Sequence, residues 1–140
     1  MVTASTIRAG AYSVIRTLID NNKVSGSVVI NSYPESSPAF PCVIVPMPEA
    51  GIPDTVSLGD IKNYSFSIEF SVWATAAQGQ AKVAELLDNI QATLEANTTS
   101  LNAEKIKFDT FSPSRVDKVE VNEQKLYTAG AIATFSTFAL

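Results

Sequence analysis

The chain has 140 residues, a length that predicts one domain with its own core. Its hydrophobic fraction of 46% and charged fraction of 17% are those of a globular protein that is somewhat poor in charge. The net charge of −4, with ten scattered basic residues, argues against a protein that grips phosphate backbones. Histidine is absent, which excludes Ser-His-Asp and Cys-His catalytic sites.

The first residues, Met1 to Ser5, lack the basic and then apolar layout of a secretory signal. No apolar run approaches the ~18 residues that a membrane span needs. The single cysteine cannot form an internal disulfide and is compatible with a reducing cytoplasm. We therefore expect a soluble protein that is not exported and does not contact a membrane.

An amphipathic helix is predicted from Thr3 or Ser5 to about Asn21. Charged residues lie mostly between its apolar residues, which follow helical spacing: Ile7, Ala11, Val14, Ile15, Leu18 and Ile19. A short strand over 28–30 and a turn or loop over 31–39 follow.

Two prolines, Pro41 and Pro46, enclose the apolar run from Cys42 to Val45. Because proline has no backbone N–H donor, pairing is confined to about four residues, which predicts a short strand. Its apolar groups point to both faces, so we expect cover on both sides. Cys42 lies in this apolar run without a basic neighbour in sequence, which favours a buried, inert thiol over a nucleophile.

The sequence of residues 47–61 predicts a long loop or an extended arm. A structureless connection above about 12 residues is unusual in a compact domain and tends to be functional. The segment carries more apolar side chains than solvent would favour: Met47, Ile52, Val56, Leu58 and Ile61.

The clearest strand pattern spans 64–73, where apolar residues alternate with mostly polar ones. Its core-facing residues are Tyr64, Phe66, Ile68, Phe70 and Val72. After a short link over 75–79, a second amphipathic helix is predicted over 81–96. Its apolar stripe consists of Val83, Leu86, Leu87, Ile90 and Leu94.

The remaining chain predicts strands. Ile106, Phe108 and Thr110 alternate in one strand, 116–125 is a charged connection or a hairpin, and 125–140 is β-rich to its end. In the last strand one side carries Tyr127, Ala129, Ala131, Ala133 and Phe135, while Ile132, Phe138 and Leu140 lie on the other among Thr and Ser. The order of elements predicts a single α+β domain over 1–140, with one mixed or antiparallel sheet and two helices on one face.

No pattern in the chain predicts catalysis. The carboxylates Asp54, Asp60 and Glu69 match no oxygen-ligand loop, and the glycines are too dispersed for a phosphate-binding loop. We therefore expect no enzymatic activity, no cofactor and no metal. An enzyme that uses carboxylates alone, with Mg²⁺, remains an alternative to be tested with divalent cations.

The element pattern resembles the tail terminator, or tail-completion, proteins of long-tailed bacteriophages. Five segments carry the resemblance: "STIRAGAYSVIRTLID", "FPCVIVPMP", "YSFSIEFSVWAT", "AKVAELLDNIQATLEA" and "LYTAGAIATFSTFAL". It implies a structural virion protein, assembled in the host cytoplasm, whose copies form rings, typically hexamers. Such a ring caps the tail tube protein and docks the head connector or neck protein. DNA only passes through its channel, without sequence-specific binding.

A ring of identical subunits uses a heterologous contact, in which two different faces meet. We expect the 47–61 segment and the last strand to supply this contact, through Met47, Ile52, Val56, Leu58, Ile61, Phe138 and Leu140. Two alternatives remain. One is another neck or head–tail joining protein of a phage. The other is a small soluble α+β domain that binds a hydrophobic ligand in a pocket lined by Phe66, Ile68 and Phe70.

Overall fold

The structure is a computed structural model that describes residues 4–30, 39–48, 56–58, 61–121 and 123–139. The described helices are α1 (Ala4–Asn21), α2 (Gln80–Ala96) and α3 (Thr98–Ala103). The described strands are β1 (Val28–Ile30), β2 (Cys42–Ile44), β3 (Val56–Leu58), β4 (Ile61–Thr75), β5 (Ile106–Pro113), β6 (Asp117–Val121) and β7 (Gln124–Ala139).

The seven described strands form one sheet built on two long central strands, β4 and β7. These two pair in antiparallel fashion from Lys62 opposite Ala139 to Thr75 opposite Leu126. The other edge of β4 holds β2 near its end and β3 near its start, while β5 and β6 share the other edge of β7. Only the β1–β2 pair is parallel among these pairings. The predicted α+β fold with a mixed sheet is therefore confirmed.

The helices pack on one face of the sheet, which we call the inner face. Its β4 residues are Phe66, Ile68, Phe70, Val72 and Ala74, and the β7 residues opposite the first four are Phe135, Ala133, Ala131 and Ala129. Large side chains on β4 thus lie beside alanines on β7, so the two strands together offer an even surface on which α2 can pack. From α2, the side chains of Val83, Leu86, Ile90 and Leu94 join this core and are at most 1% exposed.

Three polar contacts fix α1 to the rest of the domain. The buried hydroxyl of Tyr12 donates to the carbonyl of Val45, 2.5 Å away, where the chain leaves β2. Arg16 Nη2 donates to the carbonyl of Val29 at 3.4 Å, and Asn89 Nδ2 of α2 donates to the carbonyl of Asn22 at 2.9 Å. The first helix is therefore attached to two strands and to the second helix.

The segment predicted as a long loop over 47–61 contains secondary structure. Its residues 49–55 and 59–60 lie outside the described residues, but Val56–Leu58 is strand β3 and β4 begins at Ile61, not at Tyr64. Leu58 pairs with Ile61, which closes a hairpin. The sequence Leu58-Gly-Asp-Ile61 carried this signal, because Gly-Asp between two apolar residues is a two-residue hairpin connection.

One helix was not predicted, and one predicted strand pattern needs correction. The short helix α3 was not predicted, because its six residues contain one buried anchor, Leu101, and too few turns to show a period. Thr110 does not share a face with Ile106 and Phe108, because the register of β5 shifts between Phe108 and Thr110. A bulge of this kind reverses the alternation, so Phe111, not Thr110, lies opposite Ala133 of the core. The hairpin alternative for 116–125 is confirmed, since Val121 pairs with Gln124.

Candidate protein interaction surface

The side of the sheet opposite the helices carries an exposed polar surface, which we call the open face. It is defined by Ser65, Ser67 and Glu69 of β4 with Ile132 and Thr134 of β7. Ser67 lies opposite Thr134 and Glu69 lies opposite Ile132. The three β4 residues are exposed and Ile132 is 47% exposed. In the part of the chain that the structure describes, this face is therefore available to a partner.

A trough of about 840 Å³ runs along the open face. Pro46, Met47 and Pro48 bound it on one side, beyond the end of β2, and Asp109 of β5 bounds it on the other. Between these walls lie Ser65, Phe66, Ser67, Glu69, Ile132, Thr134 and Phe135, of which Phe66 and Phe135 belong to the core. Met47 is 54% exposed, so an apolar side chain stands at the wall and another, Ile132, on the floor.

The trough carries negative charge. Its described lining includes two carboxylates, Glu69 and Asp109, and no basic residue. Lys107 Nζ lies 3.8 Å from Asp109 Oδ1, with both side chains substantially exposed. An ion pair of this kind contributes little, because water and salt screen it. The trough thus presents apolar groups and negative charge side by side.

Two threonine hydroxyl groups, of Thr110 and Thr134, also lie at this surface. Thr110 Oγ1 and Thr134 Oγ1 are 2.5 Å apart and share a hydrogen bond, and the backbone N–H of Thr110 also donates to Thr134 Oγ1 at 3.2 Å. These bonds connect β5 to β7 beside the bulge at Asp109. They hold one wall of the trough in place.

At the other end of the sheet the same side is covered. Val43 and Val45 belong to the main core cluster, whereas Cys42 and Ile44 do not, although they are only 0% and 7% exposed. Because side chains alternate along a strand, Cys42 and Ile44 lie on the opposite face from Val43. The prediction that this strand is covered on both sides is therefore confirmed, and among the side chains that the structure describes the open face does not extend over β2.

Cys42 is a buried thiol, and desolvation by burial raises its pKa from its ordinary value of 9.0 to about 11. A thiol must ionise to act as a nucleophile, so at neutral pH this group is unreactive. The prediction of a buried, inert cysteine agrees with this environment.

The pKa of Cys42 implies a pH dependence of stability. Since the folded state holds the proton more tightly, its contribution is present below pH 9 and is lost as the pH rises towards 11. Across that range the wild-type protein should lose roughly 2 to 3 kcal/mol of unfolding free energy more than Cys42→Ala. Urea denaturation of both proteins at pH 8, 9.5 and 11 measures this difference. Parallel pH profiles would contradict it.

Among the described residues that line the trough, the ionisable side chains are the carboxylates of Glu69 and Asp109. Among the described residues no three His, Cys, Asp or Glu side chains come together as a metal-binding group. None of the described helices is both long enough and apolar enough to cross a membrane.

The seven predicted contact residues are only partly brought together. Met47 lines the trough. Val56 and Leu58 lie in β3, Ile61 opens β4 opposite Leu58, and Phe138 lies in β7 opposite Asn63. The structure describes these four by their backbone only, and Ile52 and Leu140 lie outside the described residues. The contact role of all seven residues stays a prediction.

Sequence reasoning did not assign Glu69, Asp109 or Ile132 to the contact surface. Strand alternation placed Ile132 on the non-core side of β7 and Glu69 on the polar side of β4. The pairing of these strands, which brings the two residues opposite each other, is a long-range feature that the pattern does not contain. The position of Asp109 at the trough also depends on the β-bulge in β5, which the pattern does not contain.

The domain is thus an α+β protein whose sheet carries a helix layer on one face and an acidic, partly apolar trough on the other. No protein-family model and no curated protein sequence matches the chain. Among solved structures, a chain known only by a sequence number is similar, with a TM-score of 0.46 and 14% identity, over 98% of this chain and 96% of that one.

A second similar chain comes from the structure "Virion of native gene transfer agent (GTA) particle". Its TM-score is 0.36 and its identity 14%, over 92% of this chain and 93% of that one. This is a similarity to a component of a virion. Both TM-scores are below 0.5, so neither similarity assigns a role to this chain.

Proposed function

We propose that the chain is a structural protein of a phage virion, a tail terminator whose copies form a ring. The ring caps the tail tube and forms the docking face for the head connector, and DNA passes through its channel. The protein is not an enzyme and needs no cofactor. One observation carries the proposal: among the described residues, two large apolar side chains, Ile132 on the open face and Met47 beside it, stay exposed although the helices cover the other face of the sheet.

An exposed sheet face of this kind fits a protein contact. Interfaces combine apolar groups at their centre with polar groups around them, and the open face has this composition. It has Ile132 on the trough floor, Met47 at the wall, and Ser65, Ser67 and Glu69 around them. The mixture would leave apolar surface in water in a monomer, so a partner would stabilise it.

The order of elements also supports the proposal. The segments that resemble the tail terminator family form α1, the proline-bounded β2, the long β4, the adjoining α2 and the closing β7. The strand after Pro41 is limited to Cys42–Ile44, and the chain then turns along the open face at Pro46 to Pro48. The surface that we assign to contacts therefore adjoins the segment that the sequence singled out.

A ligand-binding domain is less well supported. That alternative requires a pocket lined by Phe66, Ile68 and Phe70, but Ile68 and Phe70 are 0% exposed and belong to the packed core. The trough lies on the opposite side of β4 and carries two carboxylates. A hydrophobic ligand would leave those charges desolvated and unpaired.

Self-association is the first test. We expect sedimentation velocity and native mass spectrometry to show one closed oligomer at micromolar concentration, and negative-stain microscopy to show annular particles. A chain that stays monomeric at high micromolar concentration and forms no annular particles contradicts the proposal. A thermal shift assay with Mg²⁺ tests the alternative of an enzyme that uses carboxylates and the cation. We expect that Mg²⁺ does not raise the melting temperature.

A further inference from the structure

We infer that the trough of one copy receives the β5–β6 connection of a second copy, residues 113–116, with Arg115 facing Glu69 and Asp109. The inference rests on the proposed function, because it names the two surfaces that meet between neighbouring subunits. The connection leaves β5 at Pro113 and enters β6 at Asp117.

The trough restricts what can occupy it. Its described lining holds two carboxylates and no basic residue, while the whole chain carries a net charge of −4. An acidic or uncharged part of a second copy would therefore leave these two carboxylates repelled or unpaired. The complementary element of this chain must be basic, must be exposed, and must bring apolar groups to Met47 and Ile132.

The β5–β6 connection meets these three requirements. Arg115 is 92% exposed at the side chain, and the exposed Pro113, the last residue of β5, supplies the apolar group near it, since Val116 packs against the core. Its Nε lies 3.8 Å from Asp117 Oδ1, and the Asp117 side chain is 64% exposed. Because this ion pair is long and exposed to water, it holds the guanidinium weakly. A carboxylate of a neighbouring copy can therefore replace Asp117 as its partner. A planar guanidinium also suits two-pronged binding of carboxylates.

Two of the lysines are engaged in closer ion pairs within the protomer. Lys23 Nζ lies 3.0 Å from Asp20 Oδ1, and Lys82 Nζ lies 3.0 Å from Glu85 Oε2. Both lie on or next to the helices, away from the edge of the sheet. They are shorter, better-formed pairs than the one at Arg115, so moving them into a trough would cost more.

The connection is held in a fixed position. The backbone N–H of Ser114 donates to the carbonyl of Gly130 at 2.8 Å, and its hydroxyl accepts from the N–H of Gly130 at 2.9 Å. A side chain at Gly130 would press on the carbonyl oxygen of Phe70, 3.3 Å from the new Cβ. Glycine therefore allows the close approach of β4 at Phe70, and the two hydrogen bonds to Gly130 order the connection, which then loses little entropy on docking.

The two surfaces lie at different places on the protomer. The trough lies on the open face between β2 and β5, and the connection lies at the outer edge of the sheet where β5 gives way to β6. A contact between two different surfaces repeats from copy to copy and closes into a ring when the rotation fits. The geometry is thus that of a heterologous contact.

Two variants of the full chain, each with the charge of one of the two surfaces reversed, test this contact. The trough variant is Glu69→Lys with Asp109→Asn, and the connection variant is Arg115→Glu. Alone, each should weaken self-association at least about tenfold, measured by sedimentation velocity, because like charges would meet. Mixed in equal amounts, the two should recover oligomers, because every contact between unlike copies pairs opposite charges.

The controls make the same charge changes elsewhere on the exposed surface. Asp88→Lys with Glu95→Gln, on α2, matches the trough variant, and Lys118→Glu, on β6, matches the connection variant. Both should associate like the wild-type protein, and circular dichroism should show that all four fold. If the wild-type protein associates but the mixture does not recover, the trough has another occupant and the inference is wrong while the proposed function stands. A monomeric wild-type protein would overturn both.

Discussion

Phe135→Ala should lower the free energy of unfolding by about 3 to 5 kcal/mol, the cost of removing a large aromatic side chain from a packed core. Phe135 is 0% exposed. Its ring centroid lies 5.4 Å from that of Phe66 and 5.6 Å from that of Phe108. The substitution removes both ring contacts and leaves a cavity between β4, β5 and β7. Since domains are stable by roughly 5 to 15 kcal/mol, this is a large share of the total.

Ile132→Ala is the matched control, three residues away in the same strand. Ile132 lies on the open face and is 47% exposed, so its truncation should cost the monomer about 1 kcal/mol or less. Urea denaturation at a protein concentration low enough to keep every variant monomeric measures both effects. Equal losses would contradict the assignment of the two faces of β7.

Much of the inner face could be predicted from local patterns. Alternation from Phe66 to Val72 gave the core side of β4, and helical spacing from Val83 to Leu94 gave the buried stripe of α2, because each element must bury one side. The burial of these residues follows the predicted pattern.

The sheet order β1-β2-β4-β7-β5 was beyond such patterns. It joins β2 to β4 and β4 to β7 across long stretches of chain, and local periodicity contains no information on partners. The parallel pairing of β1 with β2 is likewise a long-range feature that the pattern of either strand does not contain. These are tertiary effects.

The candidate surface was harder to predict than the core for the same reason. The trough draws on four separate segments: 46–48, 65–69, Asp109 and 132–135. From these, sequence reasoning selected Met47 as a contact residue and placed Ile132 on the non-core side. Asp109 reaches the trough because the bulge shifts the register of β5, and a single extra residue leaves no mark on a short alternating pattern.

The two faces of β7 therefore have different roles in the proposed protein. Ala129, Ala131 and Ala133 give the helices a surface to pack on. Between them in sequence, Gly130 fixes the β5–β6 connection and Ile132 forms part of the trough floor. One strand thus connects the core to both surfaces that we assign to the subunit contact.

Ile132→Glu should abolish self-association while leaving the protomer folded. Ile132 lies opposite Glu69 on the open face, so the substitution would place a third carboxylate in a trough that already holds Glu69 and Asp109. Covering these charges with a partner would leave at least one of them unpaired, at a cost of several kcal/mol. A loss of this size weakens association at least about 100-fold.

Ala92→Glu adds the same charge on the exposed side of α2, in the opposite layer of the domain, and should leave association within about threefold of the wild-type protein. Sedimentation velocity over a concentration series compares the three proteins, with urea denaturation to show that each one folds. If Ala92→Glu dissociates the oligomer and Ile132→Glu does not, the subunit contact lies on the helix layer. The open face would then be the surface that meets a different virion protein, because its exposed apolar groups would still need cover.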